Sequence, residues 1–185
     1  MNQKHKTFYF ILVIIVTLSA FDRVQLSKGS WKKIDKAIAK VWEINAAQKD
    51  QLNWSDLSLS KILLNGTETL YLVSNQDSTA VGYMIVSQAP SRYDNFDLMV
   101  LYDLDGGILK TDILVYREDW GGEITSTRWL KQFEGKSAKD QIELNRGIQG
   151  ISGATVSCRS AVVEINRLTQ LMGELKSTGQ LVSKN

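Results

Sequence analysis

The sequence predicts an α+β fold, in which an antiparallel sheet is flanked by helices and preceded by an N-terminal hydrophobic segment. Apolar residues recur at helical spacing over residues 30–47 and again over residues 155–175. Between these stretches, residues 62–115 contain several apolar runs separated by short turn signals. Strands in the middle of a chain with helices at both ends are typical of a sheet that helices cover.

Residues 1–22 have the pattern of a signal peptide or a membrane anchor. Lys4 and Lys6 precede an uncharged apolar run from Thr7 to Phe21, which is shorter than the roughly 20 residues of a comfortable spanning helix. Cleavage after Ala20 would release the chain, whereas an uncleaved segment would hold it with both lysines on the cytoplasmic side. A buried N-terminal helix is the third interpretation. Either export interpretation places the rest of the chain at the extracytoplasmic, periplasmic face of the cell membrane.

Residues 23–60 are predicted to form a linker and an N-terminal helix. The linker has the sequence RVQLSKGS, and Ser30 is predicted to cap a helix that continues to about Ala47. The apolar residues of this segment share one face of the predicted helix, while its lysines lie mainly on the other face.

Residues 61–180 are predicted to form the main domain, which begins with the sheet. The Asn65-Gly66 dipeptide predicts a hairpin, because it readily supplies the positive φ angles of a tight turn. The run AVGYMIVSQAP predicts a buried strand that closes at Pro90. Two more strands are predicted on either side of Asp105-Gly106-Gly107.

Two helices are predicted after the sheet. A short one covers STRWLKQFEGK, with Trp129, Leu130 and Phe133 packed inward and Gly135 at its end. A long one runs from about Thr155 to Leu175. Its apolar face consists of Val162, Ile165, Leu168, Met172 and Leu175.

The composition excludes several classes of site. The formal net charge is only +2, which argues against a nucleic-acid partner. The single histidine, His5, lies in the N-terminal segment, so the folded part of the chain has no Ser-His-Asp triad and no histidine-ligated zinc or haem. Cys158 is the only cysteine, which excludes an internal disulfide.

The small residues Ser152, Gly153, Ala154 and Thr155 directly precede the long C-terminal helix. Gly153 permits a tight turn, and the free N–H groups at a helix start favour an anion such as a phosphate. A hydroxyl at that place can hydrogen-bond a phosphate or be esterified by it, and Ser157 is a second hydroxyl close by. The residues alone leave open a simpler interpretation, in which Thr155 or Ser157 only caps the helix.

The stretch ISGATVS resembles the flavinylation signature of the FMN-binding domain family. This family includes covalently flavinylated subunits similar to the Rnf complex G subunit and the sodium-pumping NADH:quinone reductase C subunit. The resemblance covers roughly residues 78–175 and extends to the segment YREDWGGEITSTRWLKQFEGK. It implies that a flavin transferase attaches FMN through a phosphoester bond to Thr155, and that Ser152, Gly153 and Ala154 form the turn around the phosphate.

The same resemblance places a Gly-Glu segment beside the flavin, here Gly122, Glu123 and Ile124. Trp120 and Trp129 are candidates to line the flavin ring, although core packing is the alternative for Trp129. Glu123 is a candidate for hydrogen bonding to the flavin or for tuning its potential, with a solvated loop carboxylate as the alternative. The implied function is relay of electrons between membrane-associated redox partners rather than a stand-alone enzymatic reaction.

One position departs from the family pattern. The aspartate that the family has three residues before the serine is Gln149 here, and Asp140 and Asn145 are the side chains that could stand in for it. This departure supports an alternative function, a flavin-free or non-covalently FMN-binding subunit with a structural or sensory role in a membrane assembly. Cys158 is interpreted as a small apolar filler in the first helical turn, with a reactive thiol as the alternative.

Overall fold

The computed structural model describes residues 25–57 and 63–182 of the 185-residue chain. The predicted signal or anchor segment, residues 1–22, lies outside these described residues. Within the two described ranges, no helix combines the length and the hydrophobicity that crossing a bilayer requires.

The described chain has long helices near both ends and a run of consecutive strands between them. The helices are α1 (Lys28–Trp42), α2 (Thr127–Leu130) and α3 (Thr155–Ser177). The strands are β1 (Gln48–Leu52), β2 (Thr69–Ser74), β3 (Ala80–Pro90), β4 (Asn95–Tyr102), β5 (Ile108–Val115), β6 (Glu143–Leu144) and β7 (Gly147–Ile148). Short 3-10 helices cover Trp54–Asp56, Gly122–Thr125 and Lys131–Phe133.

The five strands β1 to β5 form one antiparallel sheet in sequence order. The central pair, β3 and β4, is in register with Ile85 opposite Val100. Because successive side chains of a strand point to opposite faces, each central strand supplies two cores. The predicted class, an antiparallel sheet flanked by helices, is confirmed.

One core lies between the sheet and α3, and the other lies between the sheet and α1. Tyr83 and Ile85 of β3 belong to the α3 side, whereas Met84 and Val86 belong to the α1 side. Most residues of β3 and β4 are buried because helices cover both faces. The sheet is therefore the middle layer of a three-layer arrangement.

The two long helices run in the same direction. Lys33, near the start of α1, forms an ion pair with Asp112 midway along β5 at 2.9 Å. Trp42, at the end of α1, lies against Gly82 near the start of β3. Helix α1 therefore starts towards the end of the sheet that carries the β3–β4 turn, residues 91–94. Helix α3 starts at this same end, where Ser157 contacts Ser91, and Lys176 reaches Asp105 at the opposite end. Both long helices thus begin beside the β3–β4 turn.

The N-terminal predictions need correction. Ser27, not Ser30, caps α1, since its Oγ accepts the Ser30 N–H at 3.1 Å while Ser30 is buried. The helix ends at Trp42 rather than near Ala47, because Glu43 takes the left-handed conformation with φ 56°. Residues 48–52 then form β1, whose sequence QKDQL has too few apolar residues to predict an edge strand.

The hairpin predicted at Asn65-Gly66 is also wrong. Strand β2 starts only at Thr69, and it pairs with β1 on one side and with β3 on the other. Asn65 instead accepts the Thr67 N–H on its side chain at 3.0 Å, which is a local turn of the kind that asparagine favours. Part of the run predicted to precede the turn, residues 61–62, lies outside the described residues.

Both C-terminal helix predictions are confirmed. The short helical segment buries Trp129, Leu130 and Phe133, and Gly135 follows it with φ 79°. Helix α3 runs from Thr155 to Ser177 and buries all five predicted apolar positions.

Candidate functional site

Three segments line a groove of about 490 Å³ beside the β3–β4 turn, a volume within the roughly 300–1,000 Å³ usual for small-molecule sites. The β3–β4 turn contributes Arg92 and Tyr93. The loop after β5 contributes Glu118, Trp120 and Gly121, and the start of α3 contributes residues 153–157. The predicted Ser-Gly-Ala-Thr element therefore lies at a concave surface.

The turn before α3 requires small residues for two separate reasons. Gly153 has φ 86°, and a Cβ at this position would meet nothing within 4 Å, so the backbone conformation and not the space demands glycine. Ala154 is buried and lies against Gly121, where an added Cβ would stand 3.4 Å from the Ala154 Cβ. Ser152 is exposed on the same turn.

Helix α3 starts without a side-chain cap. Ala154 occupies the capping position and has no side-chain group that could accept a hydrogen bond from the first turn. The interpretation of Thr155 or Ser157 as the helix cap is therefore wrong. Thr155 is exposed, and the first N–H groups of this 23-residue helix lack intrahelical acceptors. The helix dipole favours an anion here, and the first turn contains no acidic residue.

The Ser157 side chain lies at the wall of the groove and takes part in a hydrogen-bond network. Its Oγ lies 2.5 Å from the Ser91 Oγ and 2.9 Å from the Tyr116 hydroxyl. The Tyr116 hydroxyl in turn donates to the Trp120 carbonyl oxygen at 2.8 Å. Ser157 is buried and its hydroxyl is hydrogen-bonded within the protein, whereas Thr155 is exposed to solvent.

Large apolar side chains are exposed around the groove. Trp120 is 81% exposed and Tyr93 is 79% exposed, and Val156 is 51% exposed. The Arg92 guanidinium lies 5.3 Å from the centre of the Tyr93 ring, within the range of a cation–π contact. Exposed aromatic residues concentrated at one groove are typical of a binding surface.

Arg92 and Tyr93 are site residues that the sequence interpretation missed. They lie in a short turn, SRYDN, whose composition indicates only a loop. Antiparallel pairing of β3 with β4 brings this turn beside the start of α3, more than sixty positions later in the chain. The local sequence contains no signal that could have found them.

Glu118 connects two walls of the groove. Its carboxylate accepts the backbone N–H of Tyr93 at 2.6 Å and that of Asp94 at 3.3 Å. These hydrogen bonds lower the pKa of Glu118, with the Tyr93 N–H as the larger cause. Next to it, Arg117 pairs with the buried Asp97 through two hydrogen bonds, at 2.6 and 3.1 Å, and this pairing raises the pKa of Arg117.

The predicted Gly-Glu segment lies beside the groove but does not line it. Gly122, Glu123 and Ile124 form a short 3-10 helix directly after Gly121. Ile124 is fully buried in the core on the α3 side, whereas Glu123 is exposed. Their assignment as cofactor-binding residues stays a prediction.

Trp129 packs in the core, as its alternative interpretation states. Its ring contacts Phe133 edge-on at 5.4 Å, and its indole N–H donates to the Gln149 carbonyl oxygen at 2.7 Å. The Gln149 N–H donates to the Gln132 side chain at 2.7 Å. The backbone at position 149 is thus fixed on both sides, while the glutamine side chain is exposed.

The two side chains suggested as substitutes for the family aspartate are engaged or placed elsewhere. Asp140 accepts hydrogen bonds from the Ser137 hydroxyl and N–H, which lower its pKa. Asn145 has φ 65° and follows the short strand β6. Neither residue lines the groove.

Cys158 is fully buried in the first turn of α3. Burial raises the pKa of its thiol, which disfavours the reactive thiolate. The position therefore fits the interpretation as a small apolar filler.

No protein-family model matches the chain, and no curated protein matches it. Among solved structures, the chain is similar to the C subunit of the Na(+)-translocating NADH-quinone reductase from Parabacteroides distasonis ATCC 8503. The TM-score is 0.41 at 14% sequence identity, over 86% of this chain and 100% of that chain.

Proposed function

We propose that the protein is an extracytoplasmic electron-transfer flavoprotein, which carries FMN on Thr155 through a phosphoester bond and relays electrons between membrane-associated redox partners. One observation carries this proposal. Thr155 is an exposed hydroxyl residue at the uncapped start of a 23-residue helix, inside a groove with an aromatic rim.

The residues present fit a phosphate. The uncapped N–H groups at the start of α3 can donate hydrogen bonds to a phosphate. Gly153 has no side chain, and the space beside its Cα contains no protein atom within 4 Å of a Cβ position. Arg92 supplies a positive charge from the facing turn. Glu118, an acid in the same groove, has its carboxylate engaged by two backbone N–H groups.

The residues also fit a flat aromatic ring system. Trp120, Tyr93 and Val156 expose apolar surface around Thr155, and a bound ring would cover part of it. FMN would supply one-electron and two-electron transfer, while the protein supplies binding and orientation. Ser152, Gly153 and Ala154 would form the turn around the phosphate, with Gly122, Glu123 and Ile124 as the adjoining segment.

Attachment to Thr155 requires an activated flavin donor. The Thr155 Oγ would bond to the flavin-bearing phosphorus of a phosphoanhydride, such as a flavin dinucleotide. The phosphoanhydride P–O bond breaks, and the nucleoside monophosphate leaves with the electron pair. The hydroxyl proton passes to a base of the flavin transferase. This step neither oxidises nor reduces any group, so it needs no oxidant or reductant.

The proposed location follows from the sequence of residues 1–22, which would direct or anchor the domain at the extracytoplasmic, periplasmic face of the cell membrane. A covalent bond suits that location, because a cofactor lost outside the cell could not be replaced. The proposed partners are a flavin transferase, redox proteins at the membrane and, through residues 1–22, the membrane itself.

The full chain co-expressed with a flavin transferase tests the covalent bond. We expect in-gel flavin fluorescence after denaturation, and an intact mass increased by FMN less one water. Thr155→Ala should remove both signals and Thr155→Ser should keep them. Ser177→Ala is the matched control, since it removes an exposed hydroxyl at the opposite end of the same helix. An unmodified wild-type mass would overturn the proposal.

Gln149 favours the second candidate, a flavin-free or non-covalently FMN-binding subunit with a structural or sensory role. Its side chain stands where the family has an aspartate, and neither Asp140 nor Asn145 lines the groove in its place. If this candidate is right, the chain co-expressed with a flavin transferase should have an unmodified mass. In equilibrium dialysis it should bind FMN reversibly or not at all. Reversible binding that Trp120→Ala weakens would place the flavin in the same groove.

A further inference from the structure

Three side-chain hydroxyls meet beneath the groove, and we call Ser91, Tyr116 and Ser157 together the hydroxyl joint. Ser157 stands in the middle, 2.5 Å from Ser91 and 2.9 Å from Tyr116. Ser157 is buried and the other two are half-buried, so water competes little for these bonds.

Counting protons gives the joint a direction. Each hydroxyl has a single proton to donate. The Tyr116 proton goes to the Trp120 carbonyl oxygen, so the Tyr116 oxygen must accept from Ser157. The Ser157 proton is then used, and Ser157 must accept from Ser91. One continuous chain of donors therefore leads from the β3–β4 turn through α3 to the loop after β5.

Each member of the joint belongs to a different segment of the groove. Ser91 directly precedes Arg92 and Tyr93, and Tyr116 holds the backbone of Trp120. Ser157 follows Thr155 by two helical positions, which at about 100° per residue places the two side chains on opposite sides of the first turn. The joint thus fastens both aromatic walls to the helical turn that presents Thr155.

The other side-chain hydrogen bonds at this place do not involve α3. Glu118 ties the loop after β5 to the β3–β4 turn, and Arg117 ties that loop to β4. The Tyr116 ring packs against Phe96 at 6.0 Å, which fixes the ring but not the Trp120 carbonyl. The hydroxyl joint is the set of described hydrogen bonds that joins all three walls.

We propose that Ser157 and Tyr116 are positioning residues, which set the distance between Trp120 and Tyr93 across Thr155 and so fix the orientation of a bound flavin. Their functional consequence rests on the proposed function, whereas the mechanical role can be measured on the protein without flavin. Ser157 accordingly acts through the walls of the groove that it connects.

Tyr116→Phe tests the joint, because it removes both hydrogen bonds and keeps the ring. Tyr102→Phe is the matched control, since its hydroxyl contacts the Thr169 hydroxyl of α3 at 3.3 Å, away from the groove. Hydrogen exchange of the full chain should rise about tenfold or more for residues 91–94 and 116–121 in Tyr116→Phe only. Equal exchange of these segments in both variants would overturn the joint.

Two further measurements separate the mechanical role of the joint from its effect on the flavin. Ser91→Ala removes one end of the joint and should raise the hydrogen exchange of residues 91–94. This variant tests the joint if Tyr116→Phe fails to fold. On flavinylated protein, Tyr116→Phe should lower the fluorescence anisotropy of the attached flavin and Tyr102→Phe should not; equal anisotropy in both would overturn the orienting role. A wild-type chain without flavin would sink the proposed function, while hydrogen exchange would still decide the joint.

Discussion

Gly121 lies directly against Ala154, and this contact joins the loop after β5 to the first turn of α3. A Cβ added to Gly121 would come within 3.4 Å of the Ala154 Cβ and 2.9 Å of the Tyr116 hydroxyl. Gly121 also has φ 80°, a region that side chains other than glycine rarely adopt. Two small residues far apart in the chain therefore allow the groove to form.

Gly121→Ala should destabilise the fold and displace the loop that carries Trp120. The positive φ and the close contacts together predict a loss of about 1–3 kcal/mol in the free energy of unfolding. Denaturant unfolding measures this loss. Gly122→Ala is the control, because a Cβ there meets nothing within 4 Å. Equal losses for the two variants would show that the contact with Ala154 has no special role.

Gln149→Asp should raise the fraction of chain that a flavin transferase labels. The backbone at position 149 is fixed by Gln132 and Trp129, so the new carboxylate would take the place of the family aspartate without moving the turn. Intact mass after co-expression gives the labelled fraction. Gln141→Asp, at another exposed glutamine, controls for added charge. A labelled fraction equal to wild type would mean that the carboxylate is dispensable.

Arg167 compensates two buried carboxylates, those of Glu68 and Glu164, at 3.1 and 2.6 Å. Arg167→Met should cost about 3–5 kcal/mol of unfolding free energy, because it leaves buried negative charge unpaired. Lys176→Met, which breaks the exposed pair with Asp105, should cost less than about 1 kcal/mol. Chemical denaturation of both variants makes the comparison, and a small loss in Arg167→Met would contradict it.

Glu118→Gln should make stability less dependent on pH in the acid range. The folded-state pKa of Glu118 is lowered, so its contribution is present above the unfolded value, roughly 4.3, and is lost as pH falls through the folded value. We therefore expect wild type to melt at a higher temperature than Glu118→Gln at pH 7, and the gap to close towards pH 3. A gap that persists at pH 3 would mean that the charge of Glu118 is not its cause.

The strongly patterned elements were predictable from the sequence. Helix α3 and the short segment around Trp129 have apolar residues at helical spacing, and each buries the predicted positions. Strand β3 closes at Pro90 as predicted, because proline cannot continue the ladder of hydrogen bonds. A polar edge strand such as β1 lacks that pattern, and it becomes a strand only through its pairing with β2.

The candidate site was only half predictable. Thr155 and the small residues before it are contiguous, so a short motif reveals them. Arg92, Tyr93 and the hydroxyl joint come from segments that the sheet topology brings together, and no local pattern encodes such a meeting. In the sequence, a serine at position 157 indicates a possible helix cap. Only its partners in the structure show that its hydroxyl belongs to the hydroxyl joint.

The common direction of α1 and α3 has a consequence for how the molecule would be tethered. The described chain enters the fold a few residues before Lys28, at the same end of the sheet as Thr155. Six residues, 22–27, separate the apolar run from α1, and fully extended they reach at most about 20 Å. A tether at residues 7–21 would therefore hold the molecule by the end that carries Thr155, with the β2–β3 and β4–β5 turns at the opposite end.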